Sequence, residues 1–255
     1  MWRGAPRKGL AALLLLAVYP PVAFALLYGA PLLGLRVVPT SLWGGVFVSL
    51  LVAAVGIVFS LPFGVLLALG RRSSLPVVRM LSVGFIEVVR GVPLISVLFM
   101  ANVMLPLFVP EAWSPDRLLR PLVGVALFAS AYMAEVVRGG LQALPRGQTE
   151  AAQALGLSWA RTQIHVVLPQ ALTLVIPGVV NTFIGLFKDT TLVAAVGALD
   201  FLRAVDVARQ DPSWAGPTIA LTGYIFAGLF YFVACFAMSR YSLRVERDLA
   251  RARAR

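Results

Sequence analysis

Six apolar runs of roughly twenty residues or more leave this chain few choices of fold: Leu10–Leu33, Leu42–Leu69, Phe85–Val109, Leu118–Val137, Leu168–Phe187 and Ala215–Met238. A helix rises about 1.5 Å per residue, so about 20 residues cross the ~30 Å hydrocarbon layer of a bilayer. Backbone polar groups in that layer must be satisfied within the segment, which selects helices for runs of this length. A soluble domain of 255 residues could not cover its surface when 60% of them are hydrophobic and 13% charged. The expectation is therefore a single all-α membrane domain of about six transmembrane helices.

The charged residues assign its sides. Of the 22 Lys and Arg, 16 fall at one set of alternate run ends, among them Arg3, Arg7, Lys8, Arg71, Arg72, Arg138, Arg146 and the cluster Arg240–Arg255. Only 6 (Arg36, Arg117, Arg120, Lys188, Arg203 and Arg209) fall at the other. The positive-inside rule places both termini and the 138–167 loop in the cytoplasm. The first run, with Pro20-Pro21 in its middle, reads as a retained, kinked helix rather than a cleaved leader. The net charge of +11 thus orients the chain in a membrane and does not point to nucleic acid. Residues 240–255 read as a basic juxtamembrane tail drawn to anionic lipid. One cysteine, Cys235, and one histidine, His165, offer neither a disulfide nor a metal site nor a catalytic network. Three segments follow: 1–40 with the first helix, 41–240 as the transmembrane domain, and 241–255 as the tail.

The 138–167 connection has structure of its own. Pro145-Arg146-Gly147 reads as a turn, followed by an alanine-rich helical stretch from Gln148 to Leu155 with Glu150 in its first turn. Gly156 can end that helix, because it adopts positive φ at little cost. Ser158 can cap a second helix running towards Pro169. A helix–Gly–helix elbow results.

Glu150-Ala151-Ala152, three residues, Gly156, nine residues and Val166-Val167-Leu168-Pro169 resemble the Glu-Ala-Ala-x3-Gly-x9-Ile-x-Leu-Pro coupling loop of membrane subunits of binding-protein-dependent ABC importers, with Val for Ile. Glu87-Val-Val-Arg90-Gly91-Val92-Pro93-Leu94, Tyr132 to Gly140 and Phe187 to Leu192 are similar to segments of the polar amino-acid permeases, of the histidine, glutamine and arginine type; the likeness covers roughly Ser41 to Met238. It implies a type I importer transmembrane domain in the bacterial inner membrane whose loop at 145–169 engages separate ATPase subunits. The coupling residues are then Glu150, Ala151, Ala152, Gly156, Leu168 and Pro169. Implied partners are those ATPases, a second permease subunit (the same or homologous) and a periplasmic amino-acid-binding protein. No Gly-x4-Gly-Lys-Ser/Thr phosphate loop occurs in the sequence. ATP and Mg are therefore expected on the partners, with no catalytic residue and no cofactor on this chain.

Two further groups carry alternatives. Glu-Val-Val-Arg occurs at 87–90 and at 135–138. Glu87 with Arg90, and Glu135 with Arg138, either pair locally on one helical face or form inner-gate ion pairs between subunits. Asn181, Lys188, Asp189, Thr190 and Thr191 combine donors and acceptors suited to a free amino acid beside the broken Pro177-Gly178 stretch. Alternatively Lys188 snorkels to the interface and Asp189 caps a following helix. The rival functions are a carrier driven by an ion gradient, which would favour inverted repeats and deep ionisable residues, and a membrane scaffold without transport, which has no use for the elbow.

Overall fold

The computed structural model describes residues 22, 25–29, 34–110 and 113–253. The chain separates into two units, Met1–Trp43 and Gly44–Arg255. The expected first span, Leu10–Leu33, lies outside the described residues except at 22 and 25–29. The described part of the first unit includes a helical stretch at 25–28 and a 3-10 turn at Thr40–Leu42.

The second unit is helical apart from one short ribbon. Strand β1 (Gly44–Gly45) leads into α1 (Val46–Arg71), followed by α2 (Pro76–Arg90) and α3 (Leu94–Phe108). Next come α4 (Leu119–Ala143), α5 (Gly147–Ala154), α6 (residues 159–174) and α7 (Ile176–Asp189). A 3-10 stretch at Thr190–Val196, strand β2 (Leu199–Asp200), α8 (Phe201–Arg209) and the long α9 (Ile219–Arg253) complete it. The two strands pair in parallel, Gly44 with Leu199 and Gly45 with Asp200. The amide of Phe201 donates to Ser49 Oγ at 2.9 Å and fastens the ribbon to α1.

Four described helical stretches are long and apolar enough to cross a membrane: Val46–Arg71, Leu119–Ala143, Ile176–Val196 and Ile219–Leu249. The third expected span, Phe85–Val109, is not one helix. It divides between α2 and α3, which meet at 105°. Pro93 explains the break: it has no amide hydrogen to continue a helix, and it forces the residue before it out of the α region. Counting the bent pair as one span gives five. The fifth expected run, 168–187, also breaks, at Val175, two residues before Pro177.

Two other prolines are accommodated by widening the helix instead. Met100–Met104 and Gln163–Val167 are π-turns, closed by bonds from Leu105 N–H to the Met100 carbonyl and from Leu168 N–H to the Gln163 carbonyl. Each ends two residues before a proline, Pro106 or Pro169. A proline ring presses on the carbonyl four residues back and gives it no hydrogen, and the wider turn relieves both problems. The Asn102 carbonyl, which Pro106 cannot serve, instead accepts from Arg120 Nη1 at 3.2 Å.

The core mixes larger apolar side chains with small residues that let helices approach. Ala68, Ile86, Met133, Ala134, Val137, Leu141, Val167 and Ala171 form one buried cluster joining α1, α2, α4 and α6. A Cβ on Gly140 would meet the Ala171 carbonyl at 2.5 Å, and one on Gly64 would meet Met133 at 2.7 Å. Such contacts suit a medium in which helices gain nothing from hydrophobic burial and associate through close packing.

Candidate functional site

The elbow is built as its residues dictate. Helix α5 is closed two residues past its end by Gly156, whose φ of +79° is the left-handed value that glycine alone adopts freely. The Gly156 amide donates to the Gln153 carbonyl at 2.9 Å and the Leu157 amide to the Ala152 carbonyl at 3.2 Å. This pair of bonds is a Schellman closure, and it satisfies two carbonyls that the helix end would leave bare. Ser158 precedes the next helix but forms no side-chain cap, contrary to the expectation for it. Gln170 Nε2 donates to Gln148 Oε1 at 3.1 Å and to the Val166 carbonyl at 2.8 Å, tying α5 to α6.

Only one side of the elbow is packed. Ala152 is buried, as are Thr162, Gln163 and Val167, while Glu150, Ala151, Gly156 and Pro169 are exposed and Leu168 is half-buried. Leu155 is 83% exposed and Trp159 59%. Two large apolar side chains thus stand out beside Glu150, Arg146 and Arg161, all exposed. Behind them, Val167 and Ala171 pack on Val137 and Leu141 of α4 in the shared core. The elbow therefore rests directly on α4.

At the same end of the unit, charges from three helices meet. Glu135 of α4 accepts from Arg138 Nε at 2.9 Å and from Arg71 Nη1 of α1 at 3.0 Å, and pairs with Arg90 of α2 at 3.5 Å. Arg71 also binds Glu87 of α2 at 2.9 Å. The local Glu135–Arg138 pair forms as the spacing suggests. Glu87 and Arg90 make no such pair: Glu87 turns to Arg71, and Arg90 reaches Glu135 while lying 5.4 Å over the Tyr132 ring. Arg71, which ties the two acids together, is the residue that sequence reasoning missed. Its available signal was its place at the end of an apolar run, where two carboxylates from neighbouring runs converge.

Of the remaining candidates, Asn181 lies five residues into α7, and Lys188 to Thr191 lie at or just past its far end, about 20 Å from its start by helical rise. Asn181 and Lys188 are exposed on one face, seven positions apart, and Gly185 between them has open space beside it. Asp189 is half-buried and makes no cap bond to the following turn. Thr190 departs from the expected access: it is fully buried and its hydroxyl donates to the Phe187 carbonyl at 2.8 Å. Thr191 donates to the Lys188 carbonyl at 3.0 Å. Nearby, Asp200 caps α8 by accepting from the amides of Leu202 and Arg203 at 3.0 and 3.2 Å. Burial pushes its carboxyl above the usual range, more than those two bonds pull it down. Among the described residues, no group of three or more His, Cys, Asp or Glu is placed to hold a metal.

The chain has known counterparts. The family model described as binding-protein-dependent transport system inner membrane component matches residues 60–251. The chain belongs to this family of inner membrane components. It is 54% identical over 246 residues to the inner membrane amino-acid ABC transporter permease protein YhdY of Escherichia coli, covering 96% of this chain and 66% of that one. It is 50% identical over 242 residues to the glutamate/glutamine/aspartate/asparagine transport system permease protein BztC of Rhodobacter capsulatus, covering 94% and 55%. The chain thus spans between about half and two thirds of the length of these two relatives. Among solved structures, an amino acid ABC transporter crystallised with histidines matches at a TM-score of 0.69 and 28% identity, covering 80% of this chain and 92% of that one. The MetNI methionine transporter, at 0.58 and 23%, shares the fold. As an inner membrane component with several apolar helices, the chain is a multi-pass membrane protein.

Proposed function

We propose that this chain is a permease subunit of an ATP-driven importer of amino acids, working by alternating access. The observation that carries the reading is the elbow: a rigid, glycine-closed turn that exposes Leu155 and Trp159 and rests on the core of α4. Exposed apolar side chains rimmed by charge mark a docking surface, and here the occupant is the groove of a separate ATPase subunit. The coupling contacts would come from Glu150, Ala151, Ala152 and Gly156, with Leu168 and Pro169 setting the return into α6. ATP and Mg belong to those ATPases.

In this reading both termini and the elbow face the cytoplasm, and a periplasmic binding protein delivers substrate to the ribbon end. A second permease subunit completes the pathway along α7. Lys188 and Asn181 are exposed on a candidate span, and charge at that depth faces protein or water rather than lipid. Together with Asp189 they supply donors and an acceptor for a zwitterion. Thr190 and Thr191 shape the turn that presents them. Glu87, Arg90, Glu135 and Arg138, with Arg71, serve as the inner latch. ATP binding draws the two elbows together and turns the spans outward, and hydrolysis resets them.

The test is reconstitution of the chain with its ATPase and binding protein in liposomes. Amino-acid-dependent ATP hydrolysis with accumulation inside the vesicle supports the proposal, provided that Lys188→Ala lowers transport while the binding protein still holds substrate. Uptake driven by an ion gradient without ATP would sink it.

A further inference from the structure

Helix α9 does not stop where its apolar run ends. It continues to Arg253 for 35 residues, about 52 Å by helical rise and well beyond the ~30 Å hydrocarbon layer. One face runs through Phe226, Leu229, Val233 and Phe236, each 55–59% exposed. At the same three- or four-residue spacing that face continues as Arg240, Arg244, Arg247 and Arg251, all exposed. The packed side, through Met238, Ser242, Val245 and Leu249, lies roughly opposite. A single stripe thus changes from apolar to cationic within one turn.

The countercharges on this extension do not neutralise it. Glu246 accepts the Ser242 hydroxyl at 2.7 Å on the packed side, and Asp248 stands 3.8 Å from Arg251. Among the described residues Arg240, Arg244 and Arg247 join no ion pair. Arg240 lies 6.0 Å over the Phe236 ring at the apolar boundary. A second copy of this chain is a poor occupant, because a two-fold pairing through this face would set the two arginine rows against each other.

We infer that this face of α9 lies against lipid and that its arginines bind the headgroups of anionic phospholipid. The inference rests on the proposed reading only in that α9 crosses a membrane. The headgroup layer is ~5–7 Å deep on each side, and Arg240 to Arg244 spans about 6 Å of helix. Arg240 and Arg244 therefore sit among the phosphates. Arg247 and Arg251 lie up to about 16 Å beyond Arg240, where the surface potential decays over a Debye length of about 8 Å. The effect is graded along the stripe, strongest at the membrane. An acidic face on the ATPase would reverse that order, since it would lie farther out.

The test uses the full chain in vesicles with Leu243→Trp as a local reporter, one turn from both Arg240 and Arg247. Quenching of the added emission by brominated phosphatidylglycerol is compared with quenching by brominated phosphatidylcholine. Phosphatidylglycerol should be preferred, and Arg240→Gln with Arg244→Gln should cut the preference by roughly fivefold or more. Arg247→Gln with Arg251→Gln should cut it less, and Arg240→Lys with Arg244→Lys should keep most of it. Equal quenching by the two lipids overturns the inference, and so does an equal or larger loss in the outer pair. Loss of ATPase co-purification in the outer pair, with lipid preference intact, assigns those two arginines to the ATPase and overturns the graded lipid stripe. No ATP or amino acid enters the measurement, so a failed importer reading leaves its result standing.

Discussion

The guanidinium of Arg71 and the carboxylate of Glu135 lie 3.0 Å apart across 64 positions of sequence, one at the end of α1 and the other on α4. Glu135 is the hub, with a side chain only 15% exposed and three arginines around it, whereas Glu87 is 56% exposed with Arg71 alone. Removing the hub leaves Arg90 and Arg138 without a carboxylate in a half-buried place, while removing the rim leaves Arg71 still paired with Glu135. Glu135→Gln should lower stability by about 1–3 kcal/mol and Glu87→Gln by less than about 1. Thermal unfolding of the detergent-solubilised protein reads the order; equal effects would show that the hub is not shared.

Two neighbouring glycines of α4 should respond in opposite directions. Gly140 faces the Ala171 carbonyl at a distance no Cβ tolerates, whereas Gly139 is exposed with nothing within 4 Å. Gly140→Ala should destabilise by about 1–3 kcal/mol through forced separation of α4 and α6. Gly139→Ala should be neutral or gain up to about 1 kcal/mol in helix propensity. Unfolding midpoints of the two variants check this directly.

Gly156 holds the elbow at φ +79°. Gly156→Ala places a Cβ in the left-handed region, costing roughly 1–2 kcal/mol, and should loosen α5 without unfolding the spans. The expected readout is weaker ATPase co-purification with unchanged helical content. Gly156→Asn should retain more binding, because asparagine tolerates that conformation better.

Asp200 both caps α8 and is buried, and the two roles separate on substitution. Asp200→Ala removes the acceptor for Leu202 and Arg203 and should cost about 1 kcal/mol. Asp200→Asn keeps an acceptor and removes the charge. Since burial raises the carboxyl above its ordinary value of 3.8, its protonated form is the one the fold favours. The associated stability is present at low pH and is lost as pH rises through the raised value. The asparagine variant should therefore unfold at a higher temperature than the native chain at neutral pH. That advantage should shrink as pH falls towards the ordinary carboxylate range.

Much of the elbow was legible because its causes are local. Pro145, the alanine run and Gly156 act through bonds within a few residues, so the turn and its closure follow from spacing. Ser158 was misjudged for the same locality: its type suits a cap, but the backbone there supplies none. The third span was misplaced because apolar content over 85–109 says nothing of direction, and Pro93 turned the chain by 105°. Thr190 looked available to solute, yet it is buried; polarity in a sequence cannot say which face of a turn is covered.

From residue order alone came the membrane, the helical class, the elbow and the family pattern. Each depends on composition, on spacing or on bonds between near neighbours. Tertiary structure decided that Glu87 pairs with Arg71 rather than with Arg90, and that Glu135 gathers arginines from three helices. It also decided that the arginines of α9 continue an apolar face. Those outcomes depend on how helices approach and rotate, which Gly64, Gly140 and their opposing side chains set through contacts distant in sequence.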